Sequence, residues 1–164
     1  MWELPKAVSL VAGAGEGATA LNAFDRALMD AGVANLNFIR VSSILPPGAR
    51  LVPLPTLFPG MLVPAVYAEI VGHTPGERIA AAMGIGLSRD QHGVIMEHSH
   101  IGTAEQADTI VRRMVEEAFQ QRGLRLDEVV VAAKEHVVRR VGCAVAVALL
   151  WPDLERLEAG RRGG

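Results

Sequence analysis

The order in which helical and extended patterns follow one another limits this chain more than any other feature. Two stretches carry helical spacing: 18–31, with Leu21, Phe24, Leu28 and Ala31, and 104–122, where Ala107, Ile110, Val111, Met114, Val115 and Ala118 make one broad apolar stripe. Gly32 and Gly123 suit the helix stops, and Thr103 with Gln106 suits a capping box. Seven runs read as strands: 7–13, 35–43, 66–71, 79–87, 93–97, 129–138 and 141–150. Pro46-Pro47-Gly48 and the Pro75-Gly76 pair mark turns. Residues 51–64 are rich in proline yet strongly apolar, which predicts extended chain laid over a core rather than a free linker. An order of β, α, several β, α, β, β predicts an α+β fold with mixed or antiparallel sheets, not a βαβα alternation.

Composition sets the class. A chain of 164 residues, half of them hydrophobic and 21% charged, fits one packed domain. The expected extent is 1–152, with a charged, glycine-ended tail over 153–164 that frays. A net charge of −2 gives no general drive toward nucleic acid, and Arg112, Arg113, Arg139 and Arg140 read as solvated faces. The single cysteine, Cys143, excludes an intramolecular disulfide and fits a reducing cytoplasm. No membrane span is expected: 51–68 carries Pro53, Pro55, Pro59 and Pro64, and 141–152 is too short. The first residues lack a basic region followed by an apolar run, so no signal peptide is expected. Lys6 and Lys134 are the two lysines, which restricts any chemistry built on a lysine Schiff base.

Several motifs invite a chemical reading. Gly13-Ala14-Gly15-Glu16-Gly17 stands between a strand and a helix, but the glycine spacing is not that of a dinucleotide loop. Glu16 would also oppose a pyrophosphate, so a flexible strand-to-helix turn is expected. His92, His98 and His100 lie near Glu97, and His98 and His100 would share a strand face, but no established zinc pattern accompanies them and no metal site is expected. Cys143, in the most apolar run of the chain, reads as inert packing. Asp25 sits four residues after Leu21, at the edge of the apolar stripe, where a carboxylate either pairs with an internal cation or faces a cleft. Glu97 shares a strand side with Ile95, while Val94 and Met96 take the other. Both faces are therefore covered, which favours a protonated carboxyl, either a general acid or a hydrogen-bonded structural group.

Asn37-Phe38-Ile39-Arg40-Val41-Ser42-Ser43-Ile44-Leu45-Pro46-Pro47 closely resembles the self-cleavage segment of pyruvoyl-dependent arginine decarboxylases. So do, in the same order, Val8-Ser9-Leu10-Val11-Ala12-Gly13, Leu21-Asn22-Ala23-Phe24-Asp25, Leu51-Val52-Pro53-Leu54-Pro55, Gly93-Val94-Ile95-Met96-Glu97 and Val141-Gly142-Cys143-Ala144. The resemblance runs from about Glu3 to Trp151. It implies a four-layer αββα sandwich and a chain that cuts itself between Ser42 and Ser43. The products would be a β chain of 1–42 and an α chain of 43–164 beginning with a pyruvoyl group made from Ser43. A serine is needed there: its hydroxyl attacks the preceding carbonyl, β-elimination opens the chain, and loss of ammonia leaves a ketone. That ketone forms a Schiff base with the substrate amine and the adjacent amide carbonyl takes electrons as CO2 leaves, with no need of PLP or metal.

By resemblance, Ser43 is the covalent centre and Glu97 the acid near the reacting carbon. Asp25 would pair with the substrate guanidinium. Leu21 and Ile95 would line the apolar slot, and Asn37 would hydrogen-bond at the pyruvoyl end. On one straight strand Asn37 and Ser43 would stand about 20 Å apart, so sites shared across an interface are expected, as in the family's trimer or a pair of trimers. The implied reaction turns L-arginine into agmatine and CO2, a step that can feed polyamine synthesis. Relatives with this cofactor act on aspartate or histidine, and Asp25 favours a cationic substrate. Ala34 stands where the family has glycine, and His98-Ser99-His100 is not a family signature. The alternatives are an unprocessed regulatory homologue, a decarboxylase of another amino acid, or a metal-dependent hydrolase built on Glu97, His98 and His100.

Overall fold

The computed structural model describes residues 3–155; most of the tail expected to fray, 156–164, lies outside them. The elements run β1 (Ala7–Glu16), α1 (Ala20–Asp30), β2 (Asn37–Arg40), β3 (Ile44–Leu45), β4 (Arg50–Leu51), β5 (Leu62–Gly72), β6 (Arg78–Leu87), β7 (Gly93–Ile101), α2 (Ala104–Arg122), β8 (Glu128–Val137) and β9 (Gly142–Trp151). They form two sheets. The first has the order β2-β5-β9-β1-β4 and the second β3-β7-β6-β8. In the first sheet β2–β5 and β1–β4 are parallel and the central pairs antiparallel; the second is antiparallel throughout.

The layers follow from side-chain alternation. On β9, buried along its whole length, Ala144, Ala146, Ala148 and Leu150 face the second sheet, where they meet Ile79, Ala81, Met83 and Ile85 of β6. The intervening Cys143, Val145, Val147 and Leu149 pack against Ala23, Ala27 and Leu28 of α1. On the outer face of the second sheet, Ala80, Ala82 and Val94 meet Ala107, Val111, Val115 and Phe119 of α2. Strands covered on both faces lose the hydrophobic–polar alternation of a half-exposed sheet. The result is an α+β sandwich of four layers: α1, first sheet, second sheet, α2.

α2 keeps the boundaries expected of it, because both ends are chemically marked. Thr103 and Gln106 form a reciprocal capping box, and Gly123 closes the helix at φ 63°. Of the stretch 51–64 expected as extended cover, residues 52–61 form it, with Val52, Leu54, Leu57 and Met61 packed on the α1 side of the first sheet, whereas Leu51 ends β4 and 62–64 open β5. The Ser9 hydroxyl lies 2.9 and 3.0 Å from the carbonyls of Val52 and Pro53 and accepts the Trp151 indole N–H at 2.9 Å. Among the described residues no helix is long and apolar enough to cross a membrane.

Two local expectations change. The glycine run 13–17 is not a flexible turn: β1 continues through it to Glu16, paired with β9 down to Glu16↔Gly142. Its glycines are there because α1 lies directly on the strand. A Cβ at Gly13 would stand 2.3 Å from the Ala27 carbonyl oxygen. The run 35–43 is not one strand either. β2 ends at Arg40 in the first sheet and β3 starts at Ile44 in the second, so Asn37 and Ser43 do not share a straight strand.

Candidate active site

The crossing between the sheets falls on Ser42 and Ser43. On its N-terminal side the Val41 N–H donates to the Ala65 carbonyl of the first sheet at 3.0 Å. On its C-terminal side the Ser43 carbonyl accepts the Ile95 N–H of the second sheet at 2.7 Å. The Ser42–Ser43 peptide is therefore pinned on both sides, to different sheets, and belongs to no strand. Ser42 is exposed and Ser43 half-buried. The sequence could not show this change of partner, because the apolar pattern continues through Val41, Ile44 and Leu45.

β7 supplies the other side of the site. Ile95 is fully buried between the sheets, and Glu97, two residues on, shares its side of the strand. β3 pairs with Gly93 and Val94 only, so Glu97 lies beyond the covered part of the β7 edge and is half-buried. Burial pushes the Glu97 carboxyl above the usual range; the positive charge of Arg40 and a backbone hydrogen bond partly oppose it. Arg40 was not singled out by sequence reasoning. It ends β2, donates from Nη2 to the Tyr67 carbonyl at 3.2 Å, and lies with Cζ 4.5 Å from the centre of the Tyr67 ring.

One chain thus brings Ser43, Ile95 and Glu97 together, with Arg40 close by. It does not bring Leu21 and Asp25 to them. These stand on α1, which covers the outer face of the first sheet, and both are exposed, Leu21 at 75%. Phe24 between them turns inward toward Tyr67, which also meets Phe38, at ring separations of 6.1 and 5.8 Å. Asn37 is exposed and donates from Nδ2 to the Gly60 carbonyl at 3.1 Å, beside the first residues of β5.

The remaining candidates have other surroundings. His98 Nε2 and His100 Nδ1 are 3.2 Å apart, and His100 Nε2 lies 3.1 Å from the Thr103 carbonyl. Their side of β7 is that of Met96, which packs under α2, opposite to Glu97. Burial, then the neighbouring His100, holds His98 below its ordinary value. Among the described residues no three His, Cys, Asp or Glu side chains converge to hold a metal ion. Cys143 is fully buried and burial pushes its thiol up to about 12, with the Glu69 carboxylate adding to the effect, so it is an unreactive packing group. Lys6 pairs with Asp153 at 3.0 Å and Lys134 with Asp30 at 3.3 Å.

A second polar cluster escaped the sequence reading, which weighed Glu16 only as an obstacle to phosphate. Its Oε1 accepts His136 Nε2 at 2.6 Å and the Arg139 N–H at 2.9 Å, and its Oε2 accepts the Arg140 N–H at 3.1 Å. Burial opposes ionisation there, but these three donors outweigh it and hold the carboxyl at about 2. The cluster fastens the β8–β9 turn to the end of β1.

The sequence of this chain has known relatives. A profile of the family described as pyruvoyl-dependent arginine decarboxylase matches residues 7–154. The pyruvoyl-dependent arginine decarboxylase of Methanocaldococcus jannaschii is 47% identical over 152 residues, which cover 92% of this chain and 92% of that protein. Those of Methanococcus maripaludis and Pyrococcus abyssi are each 43% identical, over 92% of this chain and 93% and 98% of theirs. At such identity across nearly the whole length, this chain belongs to the pyruvoyl-dependent arginine decarboxylase family.

Proposed function

We propose that this chain converts L-arginine to agmatine and CO2, using a pyruvoyl group that it makes from Ser43 by breaking the Ser42–Ser43 bond. The observation that carries the reading is the placement of that bond at a doubly anchored crossing between two sheets, in a chain of this family. The surroundings fit the group. Ser43 is held by its carbonyl rather than by its hydroxyl, a carboxyl that burial disposes to keep a proton lies near, and both lysines are engaged in ion pairs, Lys6 with Asp153 and Lys134 with Asp30. When present, a pyruvoyl group supplies an electrophilic ketone and, in its amide carbonyl, an acceptor for the electrons released on loss of CO2.

The chain's own residues do the rest. The Ile95 N–H, 2.7 Å from the Ser43 oxygen, is a fixed dipole aimed where negative charge gathers during decarboxylation. Glu97 supplies the proton that the product carbon needs, and its desolvation favours the protonated form of the carboxyl. Asp25 accepts the substrate guanidinium through two parallel hydrogen bonds, which selects arginine. Leu21 flanks the methylene chain and Asn37 orients the pyruvoyl end, while Ile95, its side chain fully buried between the sheets rather than lining the slot expected of it, serves through its backbone N–H. Because Leu21 and Asp25 stand exposed on the layer away from Ser43, we assign them to the site of a neighbouring copy. The assembly is then a homotrimer with interfacial sites, or two such trimers, working in a reducing cytoplasm. The mature unit consists of residues 1–42 and 43–164.

An intact mass spectrum of the denatured protein tests the reading. Two chains are expected, the larger beginning at position 43 and lighter by one ammonia than a free serine terminus, and S43A remains whole. The processed protein releases CO2 from carboxyl-labelled arginine. A single full-length mass that survives prolonged incubation refutes the reading.

A further inference from the structure

We propose that Tyr67 is a positioning residue of the substrate site: its ring, wedged between Phe24 and Phe38, sets the roll of α1 and with it the direction of the Asp25 carboxylate. The inference rests on the role of Asp25 proposed above, binding of the substrate guanidinium, and adds the residue that holds Asp25 in place.

α1 lies on the first sheet with two different flanks. Successive residues turn by about 100° around a helix. Ala23, Phe24, Ala27 and Leu28 therefore make the stripe that faces the sheet, with Arg26 and Asp30 to one side of it and Leu21 and Asp25 to the other. The Arg26 flank is fitted tightly to β1. A Cβ at Gly15 would stand 2.6 Å from Cγ of Arg26, one at Gly17 would stand 2.3 Å from the Ala23 nitrogen, and Asp30 accepts the Ala14 N–H at 2.9 Å. The Asp25 flank overlooks the other half of the sheet, toward β5 and β2. There the contact is aromatic: Phe24 meets the Tyr67 ring at 6.1 Å, and Tyr67 meets Phe38 of β2 at 5.8 Å.

The division of labour follows from shape. Ala23 and Ala27 let the helix come close but offer little against rotation about its axis. Phe24 reaches further from the axis, and Tyr67 is what it bears on. The Tyr67 ring is itself fixed. It stands on β5 opposite Val147 of β9, inside the sheet. The Arg40 guanidinium lies over it, with Cζ 4.5 Å from the centroid, while Nη2 donates to the Tyr67 carbonyl at 3.2 Å. One ring thus ties the helix that carries Leu21 and Asp25 to the strand that begins with Asn37, and so fixes the guanidinium end of the site relative to the pyruvoyl end. Asp25 is the residue next to Phe24 and has no freedom from its roll. At the roughly 5–6 Å radius of a helical side chain, a roll of about 10° moves the carboxylate by about 1 Å. A bidentate pair needs both oxygens in line with the guanidinium, and a shift of that size weakens it severalfold.

Steady-state kinetics of the processed enzyme, with processing confirmed by mass, test the proposal. Y67L should raise KM for arginine about fivefold or more and leave kcat within about twofold. Y67F, which keeps the ring, should bind arginine as the wild type does. F24L removes the contact from the helix side and should act in the same direction, so the test stands even if Y67L does not fold. Because Tyr67 acts through Asp25, Y67L added to D25N should raise KM by less than about twofold beyond D25N alone. A crystal structure of the uncut S43A/Y67L chain should show α1 rolled about its axis, and one of S43A/Y67F should not. An unchanged KM in Y67L and F24L overturns the proposal, as do an equal loss in Y67F and Y67L, effects of Y67L and D25N that multiply, or an α1 that does not roll. A wild-type chain that never cuts itself refutes the decarboxylase reading instead. The S43A structures need neither processing nor turnover, and still decide whether Tyr67 sets the roll of α1.

Discussion

Glu16→Gln should cost this protein stability in a way that depends on pH. The carboxyl of Glu16 is held at about 2 against an ordinary 4.5 because His136 and the Arg139 and Arg140 N–H groups donate to it, over the opposing effect of burial. A carboxyl lowered on folding stabilises the native state above its unfolded value, and that contribution is lost as pH falls toward the folded one. At about 1.4 kcal/mol per pH unit the full interval sets an upper bound of about 3 kcal/mol. The side chain keeps 25% of its surface in water, so roughly 1–2 kcal/mol is the reasonable expectation. Glutamine retains one acceptor oxygen but presents an NH2 to donors, so the charge-assisted part is what disappears. Urea unfolding of wild type and variant from pH 7 downward measures the difference. It should be constant to about pH 5 and fall to about half by roughly pH 3.3. A gap that is absent at pH 7, or that persists unchanged at pH 3.5, would refute the reasoning.

Other outcomes follow from the same structure. Gly13→Ala forces a Cβ to 2.3 Å from the Ala27 carbonyl oxygen. The misfit lies between two backbones, and thermal unfolding should show a loss of about 1–3 kcal/mol. Asp25→Asn should leave the melting temperature within error, since the side chain is exposed, while raising KM for arginine about tenfold or more. A preserved KM would remove Asp25 from the substrate site. Thr103→Ala breaks the α2 capping box and should cost about 1 kcal/mol by chemical denaturation. Glu97→Gln should lower kcat about a hundredfold or more while leaving processing, read by mass, intact.

What the sequence displays is governed by how local the cause is. α2 was legible to the residue because Thr103, Gln106 and Gly123 act within one turn of each helix end. The helix over α1 and the strand over β9 were equally plain from their apolar spacing. β7 ran four residues longer than read, because His98, Ser99 and His100 form an edge that lacks the apolar pattern of a strand. The extension of β1 through its glycines was hidden, since its cause is the approach of a helix that follows it. The change of sheet at Ser42–Ser43 depends on which partner lies alongside, Ala65 or Ile95, and neither is encoded nearby. The desolvation of Glu97 could be inferred from apolar neighbours on both faces. Arg40 and Tyr67 could not, because their pairing joins β2 to β5.

The weave of the first sheet has a consequence for how such a molecule renews itself. β1 lies between β9 and β4, and β2 lies against β5. A break at Ser42–Ser43 therefore divides the chain but leaves the shorter piece interlaced with the longer in one sheet. The uncut molecule assembles by an intramolecular search at a rate indifferent to concentration. Once cut and unfolded, the two pieces must find each other by diffusion, and recovery slows on dilution. Maturation at this bond would act as a ratchet: the connected chain serves to reach the native arrangement, and is then no longer present to restore it.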